Sequence, residues 1–294
     1  MMSINFAAAD PAGSSSSGGY RGLAADLRCV VERGELVVLY QPIVDLSTLQ
    51  MVAAEALLRW RHPTHGLLPP EVFIPTAEES GQIVPIGAWT LAEACRRGQS
   101  WRTGQRTGAP PRIAVNVSGW QLRDPGFVAD VRAALESSGL DPPALLLELT
   151  ETVLLEHHTV GATLDQVKEL GVGLAVDDFG TGHSSLQYLA RFPLDALKVD
   201  RSYVDLLDLE PIEEGGVPRA AGLVRGIVQL GHSVGLWTIA EGVASLAQLR
   251  QLRALGCQLG QGRLFDGPLD PGALEARLGS PLGPLPPDAH DPTR

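Results

Sequence analysis

The sequence predicts an α/β protein, a single (β/α)8 barrel whose first strand runs against the others. Three observations carry that expectation. Eight short apolar runs that read as strands alternate with stretches of helical period, the link between the first two runs is too short for a helix, and a polar residue closes nearly every run.

In chain order the runs are "LVVLYQPIV" (36–44), "VAAEALLRW" (52–60), "RIAVNVS" (112–118), "ALLLELT" (144–150), "GLAVDD" (173–178), "DALKVD" (195–200), "LWTIAEG" (236–242) and "CQLGQG" (257–262). Most are almost wholly apolar, as strands of a parallel sheet are when both faces are covered. Helical faces lie between them: Phe127, Val131, Ala134 and Leu135 share one, and Ala220, Leu223, Val224, Ile227 and Val228 share another. Only "DLSTLQM" and its neighbours separate the first two runs, which predicts a hairpin and therefore an antiparallel first strand. The barrel expected is TIM-like.

Length and composition agree. The chain has 294 residues, and barrels of this kind run to about 250 as single domains. No apolar run reaches the ~18 residues that span a membrane, and "MMSINFAAADPAG" lacks the basic and apolar regions of a secretory signal. Three separated cysteines make no metal-ligand spacing and fit a cytoplasmic location. A net charge of −11 disfavours DNA, RNA or anionic membrane as partners, though not a small anionic ligand held by cations.

The domain is expected at 21–280. A Ser/Gly-rich tail or linker (1–20) precedes it and a Pro-rich tail (281–294) follows. "LEPIEEGGVP" (209–218) reads as a surface loop, as does "WRTGQRTGAPPR" (101–112), whose arginines are interleaved with Gly and Pro.

The polar strand ends are Glu55, Asn116, Glu148, Asp177 with Asp178, Lys198, Glu241 and Gln261. One such residue usually caps the next helix, which is the role expected of Ser118. Seven ends converging on one face of a barrel call for another explanation, because Glu, Gln and Lys are poor caps and rarely buried without partners. Gathered carboxylates need protons or cations. An oxygen-rich set of Glu55, Asn116, Glu148, Asp177, Asp178 and Glu241, with no histidine among the strand ends, selects Mg²⁺ or Mn²⁺ over zinc. Asp177 and Asp178 could bridge two ions ~3.5–4 Å apart, an arrangement that clamps a phosphodiester and activates water. Lys198 would face into this anionic bowl.

In order and spacing, "QPIV" (41–44), "EALLRW" (55–60), "NVS" (116–118), "ELTE" (148–151), "DDFGTGHSSL" (177–186), "KVDRSYV" (198–204), "AEGV" (240–243) and "GQGRLF" (260–265) resemble the motifs of the EAL-domain family over 21–280. The resemblance implies a TIM-like barrel with one antiparallel strand and a bacterial phosphodiesterase that opens cyclic di-GMP to linear pGpG with Mg²⁺ or Mn²⁺. It implies that Glu55, Asn116, Glu148 and Asp177 hold one ion, and that Asp177, Asp178 and Glu241 hold a second. Lys198 matches the lysine that positions the attacking water, with Glu241 assisting as base. Gln261 matches a glutamine near the second metal and its water; Gln41 and Arg59 match ligand-binding positions. Asp200 would stand close to the same site. Glu151 matches the glutamate that fixes the 177–186 loop, which the family couples to dimerisation, so a homodimer is expected. Many members also carry an upstream sensory or GGDEF domain.

The chain departs from the family pattern at His183, Ala244 and Arg263, none of them an expected metal ligand. His183 reads as a structural loop residue, and His157 and His158 as solvent-facing in a helix. The alternative function is a cyclic di-GMP receptor with little or no catalysis, but such degenerate members lack acids or the lysine, and this chain has them. A Schiff-base aldolase using Lys198 is disfavoured, since surrounding carboxylates would raise the amine pKa that such chemistry needs lowered.

Overall fold

The computed structural model of the protein describes residues 22–104, 111–155, 157–180, 187–208 and 219–282. The Ser/Gly-rich start, the loop 209–218, His183 and nearly all of the Pro-rich tail lie outside these residues, as do the side chains of His157 and His158.

The strands are β1 (Leu36–Asp45), β2 (Met51–His62), β3 (Gly66–Leu68), β4 (Arg112–Asn116), β5 (Leu145–Thr150), β6 (Gly173–Phe179), β7 (Ala196–Val199), β8 (Trp237–Ala240) and β9 (Leu259–Gln261). Their order is β1-β9-β8-β7-β6-β5-β4-β2-β3, and the β1–β2 pairing closes the ring. β1 is antiparallel to both its neighbours, β2 and β9, while β2 and β4 through β9 run parallel to one another. The expected barrel with a reversed first strand is therefore present. The Asp45 side chain makes the hairpin turn, accepting from the backbone N–H of Ser47 at 2.9 Å and of Thr48 at 2.8 Å. β3 is an addition: three residues that pair only with the far end of β2, too short a run for periodicity to reveal.

Two layers fill the barrel. Ile43, Ala53, Ala114, Leu146, Ala175, Ala196 and Ile239 form a buried plug of small and branched side chains. Strand side chains alternate between faces, so the residue two positions nearer the rim also points inward, two further along in the parallel strands and two earlier in the reversed β1. Those residues are Gln41, Glu55, Asn116, Glu148, Asp177, Lys198 and Glu241. The outward residues between them, such as Ala54, Val115, Leu147, Val176 and Leu197, belong to the main core.

The helices that cover this core include α1 (Leu23–Leu27), α2 (Pro70–Glu79), α3 (Ile83–Gly104), α4 (Gly119–Arg123) and α5 (Phe127–Ser138). They continue with α6 (Glu151–Leu155), α7 (His157–Glu169), α8 (Gln187–Arg191), α9 (Arg201–Leu206), α10 (Arg219–Ser233), α11 (Leu246–Ala254) and α12 (Pro271–Glu275). Phe127, Val131, Ala134 and Leu135 are buried as expected. On α10, however, Leu223 is 53% exposed. The buried stripe runs through Ala220, Val224 and Val228, and at about 100° per residue Leu223 falls on its flank. The "WRTGQRTGAPPR" segment is also not all loop: Trp101 is buried in α3, and Arg112 opens β4. Ser118 caps α4 in a reciprocal box with Gln121, as read from the sequence. Among the described residues no helix is long and apolar enough to cross a membrane.

Candidate active site

The C-terminal rim of the barrel brings the polar strand ends together. Lys198, on β7, is fully buried, and its Nζ lies 2.6 Å from Glu241 Oε1, 2.9 Å from Glu148 Oε2, 3.2 Å from Asp177 Oδ1 and 3.6 Å from Glu55 Oε2. Burial alone would push this lysine down, but Asp177, Glu148, Glu241 and Glu55 outweigh it and hold its pKa well above the lysine range. The ammonium is charged.

Glu55 is the hub of a second set of contacts. Asn116 Nδ2 donates to Glu55 Oε1 at 2.6 Å, and Gln261 Nε2 donates to Glu55 Oε2 at 2.7 Å and to Gln41 Oε1 at 3.0 Å. Gln41 Nε2 in turn donates to the Asp266 carbonyl at 3.1 Å. These bonds tie β1, β2, β4 and β9 across the mouth.

One ammonium cannot balance four carboxylates. Burial is the first cause that raises the carboxyl groups of Glu148 and Glu241 well above the usual range, and neighbouring acids add to it while Lys198 opposes it. Asp177 is raised for the same reasons, and Asp178 is pushed up to about 7, with burial first and Asp177 second. Buried Glu148 Oε1 has no hydrogen-bond partner, and Asp177, Asp178 and Glu241 each present an oxygen within 4.8 Å of the others. Hard anionic donors short of positive charge, one of them an orphaned buried oxygen, fit a divalent cation that prefers oxygen ligands.

The backbone around Asp178 is unusual. Its φ is +54°, a region that non-glycine residues seldom occupy. The β6–β7 register shifts between Val176 and Phe179, so Asp177 and Asp178 stand in an irregularity of the ladder. Just beyond, Gly180 N–H donates to Glu151 Oε2 at 3.2 Å, and the Tyr203 hydroxyl donates to the Gly180 carbonyl at 2.7 Å. Glu151 was expected to fix the 177–186 loop; its contact to Gly180 lies at the start of that loop, and residues 181–186 lie outside the described residues. The Tyr203 contact was missed, because it links positions 23 apart in the chain and no local spacing announces it.

Two expected site residues lie apart from the lysine cluster. The Asp200 carboxylate caps α9, accepting from Ser202 N–H at 2.9 Å, and reaches the site through its charge on Asp178. Arg59 is half-buried on β2, with Nη1 donating to the Leu58 carbonyl at 2.8 Å and with the charges of Glu71 and Glu55 nearby.

Known proteins share this architecture. An EAL domain family model matches residues 24–268. The bifunctional diguanylate cyclase/cyclic di-GMP phosphodiesterase MucR of Pseudomonas aeruginosa is 43% identical over 248 residues, covering 84% of this chain and 35% of that protein. An uncharacterized protein of Mycobacterium tuberculosis is 41% identical over 247 residues, covering 83% of this chain and 78% of its own length. This chain spans about a third of the first two curated relatives, at 30% and 35% of their lengths. Among solved structures, the PaMucR phosphodiesterase in complex with c-di-GMP is 42% identical with a TM-score of 0.78, covering 86% of this chain and 99% of that one. The cAMP- and cyclic-di-GMP-bound form of the EAL enzyme Bd1971 is 32% identical with a TM-score of 0.79, covering 86% of this chain and 67% of that one. The match across nearly the whole barrel, together with the acid and lysine ring at its mouth, shows that this chain belongs to the EAL-domain family.

Proposed function

We propose that the protein is a metal-dependent phosphodiesterase that hydrolyses cyclic di-GMP to linear pGpG. The observation that carries this is the intact ring of Glu55, Glu148, Asp177 and Glu241 around the buried Lys198 ammonium, with Asp178 alongside. The likeness to a phosphodiesterase captured with c-di-GMP supports the substrate.

Glu55, Asn116, Glu148 and Asp177 would hold one ion, Mg²⁺ or Mn²⁺, and Asp177, Asp178 and Glu241 a second. Bound there, such ions supply Lewis-acid activation of water and neutralise phosphoryl charge. The protein's own groups do the rest. Lys198, held charged, donates N–H bonds that orient the attacking water and steady charge developing on phosphorus-bound oxygen. Glu241 accepts a proton from that water as its oxygen joins phosphorus and the bond to the ribose 3′ oxygen breaks; the departing oxygen takes a proton from solvent, so a 5′-phosphate and a 3′-hydroxyl result. Gln261 keeps Glu55 in place, while Gln41 and Arg59 bind substrate, Arg59 being suited to a phosphate or a guanine edge.

The proposal extends to a barrel unit at 21–280, a cytoplasmic location, a homodimer, and a sensory or GGDEF domain upstream, in keeping with the greater length of some relatives. Incubation of purified protein with cyclic di-GMP and Mg²⁺ or Mn²⁺, with pGpG followed by chromatography, tests the chemistry. Turnover that disappears in Glu55→Ala and Lys198→Ala is expected. Tight binding without turnover under both metals would make the protein a receptor instead, and light scattering in the same buffer tests the dimer.

A further inference from the structure

We propose that Glu71 selects guanine, its carboxylate accepting from N1–H and the 2-amino group of one base of cyclic di-GMP while Arg59 donates to O6 and N7 of the same base. The inference rests on the phosphodiesterase reading above and deepens it, adding a specificity-determining residue outside the motifs read from the sequence.

The position of Glu71 follows from the way β2 outlasts the barrel. β2 pairs with β4 only from Ala53 to Ala56, and beyond that point β3 takes the place of β4 at its side. By alternation Glu55, Leu57 and Arg59 share one face of the strand, so Arg59 stands above the ring on the side of the mouth. Trp60 faces Leu68 across the β2–β3 pair, and the next position, Pro69, comes opposite Arg59 and ends the ladder because it has no N–H to give. Pro69 and Pro70 then open α2, with Glu71 in its first turn. Leu58, Pro70 and Asn116 line one recess, so that turn borders the candidate site.

The two charges are close but not joined. Each feels the field of the other, and Arg59 also feels Glu55, yet among the described residues no hydrogen bond or ion pair links Arg59 to Glu71. Glu71 Oε2 is buried without a hydrogen-bond partner, and Arg59 has one of its several N–H groups on the Leu58 carbonyl. A buried acceptor with nothing to accept is costly. An acid that only supported the start of its helix could keep that oxygen in water.

A ligand edge that accepts from the guanidinium and donates to the carboxylate fits between them. Guanine has that edge: O6 and N7 accept together from an arginine, and N1–H and the 2-amino group beside them donate. Adenine reverses the pattern, with an amino group in place of O6 and a bare N1 in place of N1–H. A phosphate supplies acceptors alone and would be repelled by Glu71. The base is the fitting partner.

The test compares wild type with Glu71→Gln and Glu71→Ala in the full chain with Mn²⁺, on cyclic di-GMP and on its inosine analogue cyclic di-IMP, which lacks the 2-amino groups. Wild type should favour cyclic di-GMP in kcat/KM by about tenfold or more, and both variants should reduce that preference to about twofold or less. A preference kept by the variants, or absent from wild type, would overturn the inference. Equal losses on both substrates would also overturn it, because a structural role acts on both alike. Should wild type bind cyclic di-GMP without turnover, the ratio of dissociation constants must collapse in the same way. If wild type neither binds nor hydrolyses it, the phosphodiesterase reading falls, and this inference with it.

Discussion

Lys198 and Glu148 stand on strands β7 and β5, with β6 between them, yet their charged ends meet at 2.9 Å inside the barrel. The tilt of barrel strands and the inward direction of both side chains make this possible. The contact is the deepest part of the site, because both groups are almost fully buried. Charge placed there is poorly screened, so each member dictates the protonation of the others.

Replacement of Lys198 by Met tests that dependence. Breaking a buried ion cluster costs about 3–5 kcal/mol. In EDTA the variant should melt lower at pH 8 than wild type and recover at pH 5, where protons neutralise the acids. Its turnover of cyclic di-GMP should fall by at least ~10²-fold. Melting curves at the two pH values, with pGpG formation, decide both parts.

The metal-free protein should lose stability as pH rises. Asp178 is pushed up to about 7 by burial and Asp177, whereas an unfolded aspartate titrates near ~3.9. The folded state keeps a proton that the unfolded state releases, so this contribution is complete below about pH 4 and disappears as pH passes about 7. Mn²⁺ replaces those protons. It should therefore raise the melting temperature more at pH 8 than at pH 6, and a flat profile in EDTA would contradict the assignment.

Gly262 offers a test of backbone geometry beside the site. Its φ is +153°, and a Cβ there would overlap the Val243 backbone, two residues beyond Glu241. Gly262→Ala should cost about 2 kcal/mol or more. Displacement of the Val243 segment should also weaken Mn²⁺ binding. Denaturant titration and metal titration measure the two effects separately.

Thiol reactivity reports on the core. Cys29 is exposed, while burial pushes Cys95 up to about 12 and Cys257 up to about 11. At pH 8, Ellman's reagent should label one thiol in the native protein and three after unfolding in guanidinium. Fast labelling of a second thiol would indicate an opening of the barrel wall.

Much of the barrel was legible because its signals are local. Runs such as "ALLLELT" and "GLAVDD" are apolar on both faces and bounded by helices, and "DLST" between the first two runs holds the aspartate that builds the hairpin turn. The step of two from Ala53 to Glu55, Ala114 to Asn116 and Ala196 to Lys198 is also written in the chain, since strand alternation puts each pair on one face. Leu223 shows the limit: helical period places it near a buried stripe, and only the packing of α10 decides which edge of that stripe faces water.

The sequence by itself determined the fold class, the reversed first strand and the residue types gathered at the rim, because alternation, turn chemistry and motif order act over short spans. Tertiary structure alone decided which groups touch. Lys198 is shared among four carboxylates, Asp200 is taken by a helix cap, and Tyr203 reaches Gly180. Those outcomes depend on how the strands tilt and where the β6–β7 ladder slips. Both arise from the closure of the whole ring and not from any neighbouring residues in the chain.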